Sequence, residues 1–222
     1  MKHADAYFFD IDGTLLVTRD LVHWNALHLA MMEVYSIDTT IEGLPYHGKT
    51  DVAILRAALN RCGVSRETFY ARLASALAVV CREVTKNAAQ ICAVVCPSIP
   101  QVLSSMRDRG KLLGIASGNL ESVGWQKVSA AGLRGFFGIG SFGDQYEQRA
   151  AIFNQAVSLA KDLLGSGAHV CFVGDTPDDI HAARSVNAQI IAVSTGTFSF
   201  EELGICGPDT CCRSCAELIA QL

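Results

Sequence analysis

Four short apolar runs punctuate the chain, each stopping abruptly at polar residues or glycine. Ala6-Tyr7-Phe8-Phe9 meets Asp10, and Lys111 to Ala116 meets Ser117-Gly118-Asn119. His169 to Val173 meets Gly174-Asp175-Thr176, and Ile190 to Val193 meets Ser194-Thr195-Gly196. Short runs without alternation are the pattern of parallel strands covered on both faces. Between them lie amphipathic stretches. Pro100 to Arg109 puts Val102, Leu103 and Met106 on one face, with Gly110 placed to end the helix. Residues 151–164 carry Ile152, Phe153, Ala156, Val157, Ala160 and Leu164 at helical spacing. Strands alternating with helices predict right-handed βαβ units and an α/β fold, a Rossmann-like doubly wound parallel sheet.

From about residue 17 to residue 92 the rhythm changes. Leu21, Trp24, His28, Met31 and Tyr35 follow at intervals of three and four, and 52–59 and 69–84 are further apolar-faced helices. No strand is expected there. The organisation read from this is an α/β core of residues 1–16 and 93–222, with a small all-helical domain of residues 17–92 inserted after the first strand. Trp24, Met31 and Met32 are expected in the core of that insertion.

Composition narrows the function classes. The chain has 222 residues, 18 Lys+Arg against 22 Asp+Glu, and a formal net charge of −4. That mild acidity gives no electrostatic reason to bind nucleic acid or an anionic membrane surface. No apolar run approaches the roughly 18 residues of a membrane span, and the N-terminus lacks the pattern of a signal peptide. A soluble, cytoplasmic protein is expected. Nine cysteines are present without a framework spacing. The tail group Cys206, Cys211, Cys212 and Cys215 lacks zinc-knuckle spacing and reads as reduced thiols in a short strand and loop.

In parallel sheets, chemistry gathers at the carboxyl ends of strands. Three of the predicted ends carry Asp10-Ile11-Asp12-Gly13-Thr14, Ser117-Gly118-Asn119, and Gly174-Asp175 followed by Asp178 and Asp179. Asp10 and Asp12, two apart in extended chain, project to the same side. Crowded carboxylates repel unless protonated or bridged by a cation. An all-oxygen cluster suits Mg²⁺, which completes its octahedron with water and substrate phosphate.

At these residues the sequence resembles the haloacid dehalogenase-like phosphatases, in their phosphoglycolate phosphatase-like branch with a helical cap. The first motif, D-x-D-G-[TV], matches Asp10 to Thr14; the second matches Ser117; the fourth, G-D-x-x-x-D, matches Gly174, Asp175 and Asp179. All follow strands and occur in the family's order. The resemblance implies that Asp10 is the nucleophile, forming an aspartyl-phosphate, and that Asp12 is the general acid and base. It implies Mg²⁺ held by Asp10, the backbone carbonyl of Asp12, and Asp175, with Asp179 orienting them. Thr14, Ser117, Gly118 and Asn119 would bind phosphate. The third motif is usually a Lys; Lys127, Arg149 and Lys161 are the candidates, and Arg149 is assigned because it opens a helix after Phe142-Gly143-Asp144. Within the helical insertion, His47, Gly48 and Lys49 are expected to form a specificity loop reaching the site, the bland alternative being a solvated turn with Asp51 capping the next helix.

The function implied is Mg²⁺-dependent hydrolysis of a small phosphomonoester such as a phosphoglycolate-like compound, a sugar phosphate or a nucleotide. A phosphomutase similar to β-phosphoglucomutase, a phosphonate hydrolase using Lys49, and a non-catalytic binding module are the alternatives. Asp178 reads as a residue favoured by a helix dipole, and His3, His23, His28, His169 and His181 as structural or surface.

Overall fold

The computed structural model describes residues 4–219; residues 1–3, with His3, and residues 220–222 of the expected core lie outside them. The four expected strands are present as β1 (Ala6–Phe9), β4 (Leu112–Ala116), β6 (Val170–Gly174) and β7 (Gln189–Val193). Two three-residue strands extend them, β5 (Ile139–Ser141) and β8 (Thr210–Cys212), giving a parallel sheet in the order β5-β4-β1-β6-β7-β8. β1 lies at the centre. The chain builds outward on one side through β4 and β5, then crosses back to lay β6, β7 and β8 on the other. This reversal opens a crevice at the carboxyl end of β1.

Alternation along β1 loads both faces of the sheet. Tyr7 and Phe9 join one apolar cluster with α4 (Ile99–Asp108) and Leu218 of α9 (Ala216–Ile219). Ala6 and Phe8 join the opposite cluster with α6 (Arg149–Leu164) and α7 (Pro177–Ser185). There Phe172 stacks on Phe153 with ring centroids 3.8 Å apart and lies 5.9 Å from the Phe8 ring. α4 ends at Asp108, two residues before Gly110, whose φ of 71° makes the expected left-handed exit.

Residues 22–86 carry three helices joined by loops, α1 (Val22–Tyr35), α2 (Asp51–Arg61) and α3 (Arg66–Lys86). They share one apolar cluster that continues into Leu120 and Val123 at the start of α5 (Glu121–Ala130). Thr50 and Ser65 cap α2 and α3; Asp51 is therefore the first residue of α2 and not its cap. The expected absence of strand from residue 17 needs correction, because β2 (Leu16–Thr18) pairs antiparallel with β3 (Ala93–Val95). The chain thus leaves the sheet and returns to it along one ribbon. Met31 is buried as expected, whereas Met32 is 41% exposed and outside the core.

All nine cysteines are free. Burial pushes the Cys96 and Cys212 thiols up to about 11 and Cys215 to about 12, so they are protonated thiols. No helix among the described residues is long and apolar enough to cross a membrane. Phe172→Ala removes the ring at the centre of one sheet face and should cost about 3–5 kcal/mol in denaturant unfolding. A loss under about 1 kcal/mol, the size of an average substitution, would show that the stack is not a centre of that face.

Candidate active site

Asp10 follows β1 and Asp175 follows β6, so adjacent strands deliver two carboxylates to one crevice. Asp179 comes from the first turn of α7, where its Oδ2 accepts from the Thr176 N–H and hydroxyl at 3.1 and 2.7 Å. Thr176 caps that turn in return, so Asp179 is fixed by a capping box. Oxygens of Asp10, Asp175 and Asp179 lie within 4.8 Å of one another. Arg149, the first residue of α6, meets Asp10 Oδ1 through Nη2 at 2.8 Å and Asp179 Oδ1 through Nε at 2.7 Å. Neither contact is aligned as a hydrogen bond, so the pairing is chiefly one of charge.

Burial and the neighbouring Asp10 and Asp179 hold the Asp175 carboxyl well above the usual carboxylate range. Burial, reinforced by Asp10 and opposed by Arg149 and Thr176, raises Asp179 to about 6. Burial also works against the Arg149 charge, but Asp10 and Asp179 overcome it and keep the guanidinium protonated. Gly13 makes the turn after Asp12 at a φ of 85°, and a Cβ there would overlap the Asp175 carboxylate.

Asp12 faces the same cavity but is held separately. Its Oδ2 accepts from Lys127 Nζ at 2.7 Å and from Asn119 Nδ2 at 2.8 Å. Burial raises its pKa, but the Lys127 charge and these hydrogen bonds outweigh that and leave it lowered. Asn119 also donates to Ser117 Oγ at 2.9 Å, leaving the serine's own proton for a ligand oxygen. Lys127, passed over in favour of Arg149 on position alone, is thus a second buried cation of the site, since its side chain is only 5% exposed.

The expected residues assemble, with one reassignment. Asp10, Asp12, Ser117, Gly118, Asn119, Arg149 and Asp175 line a single cavity of about 510 Å³, together with His47, Gly48 and Lys49. Thr14 does not; it is fully buried and its hydroxyl donates to Asp175 Oδ1 at 2.9 Å, so it positions that carboxylate instead of facing a phosphate. The 47–51 loop is no solvated turn. Gly48 O accepts from Arg149 Nη1 at 3.1 Å, Thr50 Oγ1 donates to Glu147 O at 3.1 Å, and the Asp51 N–H donates to Gly118 O at 2.9 Å. A side chain at Gly118 would overlap the Lys49 carbonyl, so this approach requires glycine. Lys49 itself pairs with Asp178.

Besides Lys127, two features were missed from the sequence. His23 lines the cavity and pairs with Asp51 at 3.1 Å, and Asp51 also accepts the Leu120 N–H that begins α5. The loop after β7 contributes Thr195, Gly196 and Thr197, with Thr195 Oγ1 donating to Gly13 O at 2.5 Å. That fourth strand end was visible as Ser194-Thr195-Gly196. Nothing local marks His23, because its partner stands 28 residues away.

Around the inner end of the cavity, among the described residues, Asp10, Asp12 and Asp175, with Asp179 buried behind them, are met by two cations, Arg149 and Lys127. The excess negative charge, the all-oxygen donor set and the raised carboxyls fit a hard divalent cation such as Mg²⁺. Without metal, the folded chain holds the Asp179 proton up to about pH 6 while the unfolded chain releases it near 3.8. The folded state binds more protons in that window, so this group's contribution to stability falls as pH rises through it. In EDTA, Asp179→Asn should therefore gain thermal stability relative to the unsubstituted chain between pH 4 and pH 6. A constant difference would mean that the carboxyl is ionised throughout.

Comparisons with known proteins agree with this architecture. No curated protein matches the sequence. CbbY from Rhodobacter sphaeroides, in complex with phosphate, superposes with a TM-score of 0.71 at 17% identity, covering 97% of this chain and 96% of that one. A predicted phosphatase from Clostridium acetobutylicum gives 0.70 at 20% identity over 99% of both chains. A predicted phosphoglycolate phosphatase from Haemophilus somnus gives 0.69 at 16% identity, covering 100% of this chain and 99% of that one. Identities this low speak for the fold alone. The family model for haloacid dehalogenase-like hydrolases matches residues 4–187, and the chain belongs to that family.

Proposed function

We propose that the protein is a Mg²⁺-dependent phosphatase that hydrolyses a small phosphomonoester through an aspartyl-phosphate. The observation that carries this reading is the convergence of Asp10, Asp175 and Asp179, the first and last paired with Arg149, in one site with Ser117 and Asn119 at the end of the central strand. The neighbours described as phosphatases, and the phosphate in CbbY, support it.

Asp10 attacks phosphorus in line, and the bond to the leaving oxygen breaks as the acyl phosphate forms. Ser117 and the Gly118 backbone donate to phosphoryl oxygens, while Arg149 offsets their charge and steadies Asp10. Asp12 begins as a carboxylate held by Lys127. A phosphoryl group competing for Lys127 weakens its hold on Asp12, which takes up a proton from solvent and passes it to the leaving oxygen as the bond to phosphorus breaks; once more a carboxylate, Asp12 then takes a proton from the water that opens the acyl phosphate. Asp10, the Asp12 carbonyl and Asp175, with Asp179 behind them, would hold Mg²⁺, which would supply positive charge against the phosphoryl oxygens.

Residues 17–92 act as a cap on the core of 1–16 and 93–222, with the 47–51 loop closing over the site and excluding water. An enclosed site suits a small phosphorylated metabolite. The nine free cysteines suit the reducing cytoplasm. Lys49 is engaged by Asp178, which argues against a role as the free amine that phosphonate cleavage would need. Phosphate release from a panel of phosphomonoesters, with Mg²⁺ and with EDTA, should be metal-dependent, and Asp10→Asn should lower it by at least about a thousandfold. Substantial residual release would remove Asp10 as nucleophile, and rearranged sugar phosphate without free phosphate would make the protein a mutase.

A further inference from the structure

The two ends of the cavity differ in character. The inner end holds the carboxylates, Arg149 and Lys127. The outer wall, supplied by the helical layer, is largely apolar: Leu21, Trp24, Leu27, Ile41, Tyr46 and Ile54 all line it. Leu27, Ile41 and Ile54 are buried beneath, and Trp24 and Tyr46 meet edge to face with centroids 5.8 Å apart. Leu21 is 63% exposed, an unusual amount for a large aliphatic residue on the rim of a polar site.

The polar groups of this wall already have partners. His23 pairs with Asp51, and Lys49 with Asp178. Asp20 accepts the Val22 and Cys92 N–H groups at 2.9 and 2.6 Å. His47 lies against the Tyr46 ring at 4.3 Å and beside the Thr197 hydroxyl. Among the described residues, a carboxylate or second phosphate on the leaving group would meet no lysine or arginine without an ion-pair partner along this wall, and would lose its hydration against apolar side chains. An apolar body would bury its surface against them instead.

Resting on the phosphatase reading above, we propose that the preferred substrate is a phosphomonoester of an uncharged, largely apolar alcohol about the size of one aromatic ring, bound against Trp24 and Tyr46. The wall thereby selects against charged leaving groups such as that of phosphoglycolate and against strongly hydrated sugars.

The test compares kcat/KM, in saturating Mg²⁺, for benzyl phosphate, 2-phosphoglycolate and glucose 6-phosphate, three esters of primary alcohols. Benzyl phosphate should exceed both others by about tenfold or more, within the range one apolar contact set can discriminate. Trp24→Ala should narrow that ratio about tenfold. Leu21→Lys, a change at an exposed position that does not burden folding, should shift the ratio towards phosphoglycolate. Equal or better turnover of phosphoglycolate or glucose 6-phosphate by the unsubstituted protein would overturn the proposal and leave the phosphatase reading standing. If no ester, nor acetyl phosphate, releases phosphate, the phosphatase reading falls, and binding still decides the character of the wall. Trp24 fluorescence, read in Trp125→Phe, should respond to benzylphosphonate and not to phosphonoacetate; the reverse order would overturn the proposal.

Discussion

Three carboxylates from β1, β6 and the start of α7 are forced together where the order of strands reverses, and water is largely excluded from them. Such crowding is unfavourable by itself, which is why burial and mutual repulsion raise Asp175 and Asp179. Arg149 is the compensating charge inside the protein. It stands at the first turn of α6, so the helix that covers one face of the sheet also delivers the cation. Packing and electrostatics are therefore one constraint, since a shift of α6 against Phe172 and Phe8 would move Arg149 from Asp10 and Asp179.

The same arginine ties the helical layer to the core. One nitrogen faces Asp10, a second Asp179 and the third the Gly48 carbonyl. The layer contributes in return, since Asp51 accepts the Leu120 N–H at the N-terminus of α5, where helix donors otherwise lack partners. Asp144 accepts the next N–H of that helix, from Glu121. α5 in turn carries Lys127, which holds Asp12. The contacts that dock the helices and those that arrange the chemistry thus form a continuous network of charge and hydrogen bonds.

Much of this was legible locally. A parallel strand announces itself as an apolar run, and its functional end is the residue where the run stops, so Asp10, Ser117 and Asp175 could be read without a structure. Arg149 was legible from its place at a helix start. Lys127 was not, because its reach to Asp12 spans 115 residues and the sequence cannot say which face of a ten-residue helix turns inward. Thr14 was misread because a hydroxyl beside a phosphate-binding turn can serve the ligand or the neighbouring carboxylate equally well, and only packing decides. β2, β3, β5 and β8 have three residues each, too few to show a period. Met32 follows Met31 on α1, and adjacent helical positions point in different directions, so one is core and the other surface.

The β2–β3 ribbon makes Thr18 and Ala93 register partners, so the chain bounding residues 19–92 begins and ends at bonded neighbours. To the sheet, that whole helical segment is topologically a hairpin loop, and loop-closure entropy grows only slowly with the length of chain enclosed. Residues between these two points can be lengthened, shortened or exchanged with little penalty to the registration of β1 with β4 and β6. The part of the cavity that meets the leaving group is thereby free to diverge while the carboxylate cluster stays under the tighter demands of the sheet.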